Sequence, residues 1–100
     1  MSRRLLAGRA LLSLVAVWMV IGTYAFDWNA THIYNPNWPP HAKFHNGQTM
    51  AMAVVLALVG GYFVWRRREP RTSLLAGAVT LSIYWLTQAL ANLYPGVAWT

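Results

Sequence analysis

The chain has 100 residues, enough for one domain, with 57% apolar and only 10% charged residues. Soluble domains carry roughly 25% charge, so a disordered tail and an ordinary soluble enzyme domain are excluded. The net charge of +6 would suit a nucleic-acid partner, but its distribution does not. Cysteine is absent, which removes disulfides, zinc–thiolate sites and a thiol nucleophile.

Arg3, Arg4 and Arg9 precede a first uncharged stretch over residues 10–26. A span needs about 20 apolar residues. The stretch therefore reaches membrane length by starting near residue 5, with Arg9 snorkelling to the headgroups. The basic start and Thr23-Tyr24-Ala25 also fit a cleaved leader. Two further apolar stretches follow, and they favour a retained span.

Residues 27–48 form the connecting segment. It contains all three histidines, three of the five prolines, four asparagines and two tryptophans. Linkers rich in Gly and Ser are flexible; this segment is instead built of rigid turn elements. Pro39 or Pro40 suits the first turn of a helix that runs on into the second span. On that helix His41 and His45 stand four residues apart, with Gln48 on the same face. Such a pair reaches one metal ion, and His32 as third ligand, supported by Asp27, would complete a zinc or copper site. The plainer account is that these histidines and asparagines cap helix ends and bond the loop backbone.

The second uncharged stretch covers residues 49–65 and extends back to about residue 46. Ala53, Ala57 and Gly61 form a small-residue stripe, widened by Gly60, for close helix packing. Arg66, Arg67, Arg68 and Arg71 lie in an inner turn over residues 66–72. The third stretch, residues 73–94, carries a polar stripe of Thr80, Tyr84, Gln88 and Asn92. An unpaired amide in lipid costs several kcal/mol, so Gln88 and Asn92 should face a helix, a partner or a cavity.

Three helices apolar nearly all round cannot share a soluble core in so short a chain. The sequence predicts an all-α integral membrane protein with three transmembrane helices at about 5–26, 46–65 and 73–94. Seven of the eight basic residues fall on one side. That places the N-terminus and inner turn in the cytoplasm, with an ordered loop 27–48 and the C-terminus periplasmic or extracellular. Aromatic residues gather at both ends, as an interfacial belt requires. The arginines are juxtamembrane, so anionic lipid is their expected partner and nucleic acid is not.

The string Thr31-His32-Ile33-Tyr34-Asn35-Pro36, followed by Trp38-Pro39-Pro40-His41-Ala42-Lys43-Phe44-His45 and Gln48, resembles a signature of small multi-pass membrane proteins of unknown function. The resemblance covers most of the chain, and Tyr94-Pro95-Gly96 fits it too. It implies a multi-pass fold, often continued into a fourth hydrophobic segment, and it transfers no activity to this chain.

Three functions compete. The favoured one is an accessory subunit of a larger membrane complex (respiratory, photosynthetic or oxidative) that braces partner helices or shields their cofactors. The second is a zinc, copper or small-ligand site at His32, His41 and His45. The third is an enzyme or transporter for a hydrophobic substrate, with Tyr84, Gln88 and Asn92 lining its pocket. No Asp, Glu, Lys, Arg or His lies within the uncharged stretches, which disfavours a proton or ion pathway.

Overall fold

The computed structural model describes residues 1–99. It is a bundle of three helices: α1, Arg3–Asp27; α2, Pro40–Trp65; and α3, Pro70–Ala91. At 1.5 Å per residue they are about 37, 39 and 33 Å long, enough to cross a hydrocarbon layer of ~30 Å. Each is also apolar enough to do so.

Local chemistry sets the helix ends. The Ser2 hydroxyl accepts the Leu5 N–H (3.2 Å) and caps α1. At the other end the Asn29 side-chain amide donates to the Ala25 and Phe26 carbonyls (3.1 and 2.9 Å), which otherwise lack partners. Pro40 and Pro70 each occupy a first helical turn, where a missing N–H costs nothing. Glu69, before Pro70, takes a left-handed conformation (φ 47°) that lets four residues reverse the chain. The expected short helix at Pro40 and the second span are one continuous element. The true loop is therefore residues 28–39, shorter than the expected 27–48, and the tight turn is 66–69.

That loop is folded by its asparagines. Asn29 Oδ1 accepts from the Thr31 N–H (2.9 Å) and Asn35 Oδ1 from the Asn37 N–H (2.9 Å), two Asx turns. Backbone N–H groups of His32 and Tyr34 close onto the Asn29 carbonyl (3.2 and 3.0 Å).

Helices α1 and α3 both start at the arginine-bearing end, and α2 runs back between them. Gly8 accordingly lies against Leu74 at that end. Thr23 lies against Tyr84 toward the other, the loop end. The shared core is a thin seam of Ala16, Met19, Ala53, Val64 and Leu81. Helices α2 and α3 cross where two glycines interlock: Leu81 covers Gly60, and Val64 covers Gly77. Removing the side chains here lets the backbones approach closely, which is how helices bind without a hydrophobic driving force.

One expectation is corrected. Arg9 does not snorkel; it is turned into the bundle and only 2% exposed. Its Nη2 donates to the Arg66 carbonyl (2.8 Å), and its guanidinium carbon lies 5.6 Å from the centroid of the Trp65 ring. The Trp65 indole N–H donates to Ser13 Oγ (2.8 Å), which in turn donates to the Arg9 carbonyl (2.7 Å). The α2 C-terminus presents unpaired carbonyls and the negative end of a helix dipole, and a guanidinium fork satisfies both.

Candidate functional site

The loop end carries two groups of polar side chains. The first lies on the opening turns of α2. His41 Nε2 and His45 Nε2 are 3.0 Å apart, and His45 Nδ1 is 3.2 Å from Gln48 Oε1. One Nε2 donates to the other, and the Gln48 side chain bonds the second ring nitrogen of His45. The His41 ring also lies parallel to Phe44, within 10° at 6.2 Å between centroids. Phe44 is 64% exposed, and both histidines are exposed. The result is a preset imidazole–phenyl ridge projecting from a continuous helix.

The second group forms around His32. Its Nδ1 bonds the Thr31 hydroxyl (2.8 Å), its Nε2 lies 3.6 Å from Asp27 Oδ1, and its ring meets the Trp38 edge (5.2 Å). The Asn29 turn folds His32 back over the end of α1, while His41 and His45 follow the exposed face of α2. The three histidines are thus divided between two groups. Among the described residues no three His, Asp or Glu side chains gather in a metal-holding arrangement.

Beneath His32 a crevice of about 400 Å³ opens between α1 and α3. Trp18, Met19, Gly22, Phe26 and Trp85 supply its apolar walls, and Asp27, His32 and Gln88 its polar end. Helices α1 and α3 run in the same direction. Thr23 faces Tyr84, so Asp27 and Gln88, each four residues further on, come to one level.

The expected packing residues separate in the same way. Ala53 is fully buried and Ala57 packs against the seam. A Cβ added at Gly61 meets nothing within 4 Å, whereas one at Gly60 would fall 2.6 Å from Leu81. The contact glycine is therefore Gly60, which was expected only to widen the stripe, and not Gly61. Tyr84 joins α3 to α1 through the Thr23 hydroxyl (2.8 Å). Gln88 lines the crevice, and Asn92 donates to the Ala89 carbonyl (3.2 Å) at the end of α3. Gly77 and Gly22 were not legible as contact or crevice residues. The available signal for Gly77 was a reciprocal pattern: a glycine four residues before a branched side chain on both helices, Gly60–Val64 and Gly77–Leu81.

A model of the family of unknown function DUF6640 matches residues 11–99. The chain belongs to that family. The DUF6640 match contains most of α1, all of α2 and α3, the loop and both histidine groups. No curated protein and no solved structure matches the chain.

Proposed function

We propose that this protein is an accessory subunit of a larger membrane complex, inserted with its arginine-bearing end in the cytoplasm and its histidine-bearing loop end outside. Seven of eight basic residues at one end support that orientation. The observation that carries the docking role is the His41–Phe44–His45 ridge. Its rings are held by one another and by Gln48, yet Phe44 keeps most of its surface uncovered. A rigid exposed aromatic loses little entropy on binding, which makes it an anchor for a protein surface.

Purification from native membranes in mild detergent is expected to recover integral membrane partners in fixed ratio. Phe44→Ala should lower that recovery by about tenfold, the effect of losing an anchor worth ~1.4 kcal/mol. Recovery of the wild-type chain solely as a free monomer overturns the proposal.

A second reading rests on the 3.0 Å separation of the His41 and His45 Nε2 atoms. Two imidazoles on one tetrahedral zinc, with bonds of 2.0–2.1 Å, stand roughly 3.3 Å apart. A small rotation would exchange their shared proton for Zn²⁺ or Cu²⁺, with Gln48 or a partner side chain adding a ligand. Titrating the purified chain with Zn²⁺ should then show one saturable site. His41→Ala and His45→Ala each abolish it, and His32→Ala leaves it intact. Loss on His32→Ala, or no saturable binding, rejects the reading.

A further inference from the structure

The crevice holds polar groups that the fold leaves unserved. Six Ser and Thr hydroxyls within the helices bond their own backbone: Ser13, Thr23, Thr49, Thr80, Ser82 and Thr87 each donate to a carbonyl four residues earlier. By contrast the Gln88 amide has no hydrogen-bond partner among the described residues. Among the described residues the Asp27 carboxylate has only His32, at 3.6 Å and beyond hydrogen-bond distance. Both line one crevice, with the Trp18 and Trp85 rings below and carboxylate and amide oxygens above.

From this arrangement we propose that the crevice binds one membrane-dissolved lipophile whose head donates a hydrogen bond, an alcohol or primary amine on a single apolar chain or fused-ring body. The head sits against Asp27 and Gln88, and the body lies along Trp18, Gly22 and Trp85. The volume, about 400 Å³, is at the small end of ligand pockets and takes one apolar body. A phosphate or carboxylate head would bring its negative charge against Asp27, so phospholipids and fatty acids are disfavoured. An amphiphile entering from the bilayer arrives already oriented, apolar body at depth and head at the loop end.

The test uses the full chain in phosphatidylcholine nanodiscs, with a photoreactive diazirine derivative of hexadecanol as probe. Saturable labelling is expected on the crevice segments around Trp18 and Trp85. Excess 1-hexadecanol or hexadecylamine should reduce it at least about fivefold, and hexadecyl methyl ether, which lacks a donor, should not. Asp27→Asn separates the two head groups: it keeps an acceptor for an alcohol but removes the charge that holds an amine. Gly22 lines the crevice and a Cβ there meets nothing within 4 Å, so the helix accepts a side chain at this position and Gly22→Leu takes up crevice space. It should abolish saturable labelling at unchanged helix content. Gln88→Leu should weaken labelling about tenfold by a separate route, removing an amide rather than space. Unsaturable labelling, equal competition by the ether, no response to either variant, or a copurifying protein chain that shields the crevice each overturn the proposal. The measurement needs only the isolated chain, so its outcome is independent of docking at Phe44.

Discussion

Gly77→Ala is expected to loosen α2 from α3 and to destabilise the bundle by about 1–3 kcal/mol, the usual cost of overfilling a packed contact. The added Cβ would lie 2.6 Å from Val64 Cγ2 and 3.1 Å from both the Gly60 carbonyl oxygen and the Val64 nitrogen. A side chain can rotate away, but two backbone atoms cannot retreat unless the helices separate. Separation then uncovers the interlock with Leu81 over Gly60. In lipid no hydrophobic term compensates, because the hydrocarbon is as apolar as the side chains it replaces. Unfolding in mixed micelles by SDS titration, followed by far-ultraviolet circular dichroism, measures the effect. Gly61→Ala is the matched control. It sits on the same helix as Gly60, its Cβ points into open space, and it gains about 0.5–1 kcal/mol from the lower entropy of Ala in a helix. Equal midpoints for Gly77→Ala and Gly61→Ala would show that the glycine crossing does not hold the bundle.

What the sequence disclosed and what it withheld divide along one physical line. Features fixed by neighbours in the chain were legible. The uncharged stretches gave three helices because hydrocarbon admits few other backbones. Pro40 marked a helix start because proline has no N–H to lose there; Pro70 does the same on α3, three residues before the expected start. The His41–His45 pair was legible because a helix puts residues four apart on one face. Features fixed by distant residues were not. Gly60 and Gly61 differ by one position, and only the place of Gly77 on α3 selects between them. His32 was grouped with the other histidines on proximity in sequence, yet the Asn29 turn returns it to Asp27 on α1. Gln88 was expected to face a helix, a partner or a cavity, and it lines the crevice between α1 and α3. That it shares a level with Asp27 follows only from α1 and α3 running the same way.

Arg9 shows the same limit, and its replacement is the sharpest stability test at the arginine-bearing end. Arg9→Ala is expected to cost about 3 kcal/mol. Truncating a large buried side chain alone costs roughly 2–5 kcal/mol through the cavity it leaves. Losing a charged hydrogen bond to the Arg66 carbonyl adds about 1.5–3 kcal/mol. Relief of a desolvated cation acts in the opposite direction, and the Arg9 Nε is buried with no hydrogen-bond partner. Two further variants separate these terms. Arg9→Met retains most of the volume and removes the buried charge, so it should recover more than half of the loss. Arg9→Lys keeps the charge, but one ammonium cannot both reach the Arg66 carbonyl and lie flat over Trp65. Lysine should therefore fall between alanine and methionine. Trp65 is one of six tryptophans, so its emission is read as the difference between each protein and its Trp65→Phe counterpart; that difference reports the loss of the guanidinium from the ring. A guanidinium that reached the headgroups instead would leave nothing behind when removed. In that case all three variants would unfold at the wild-type midpoint with unchanged Trp65 emission, and the lock between α1 and the end of α2 would not exist.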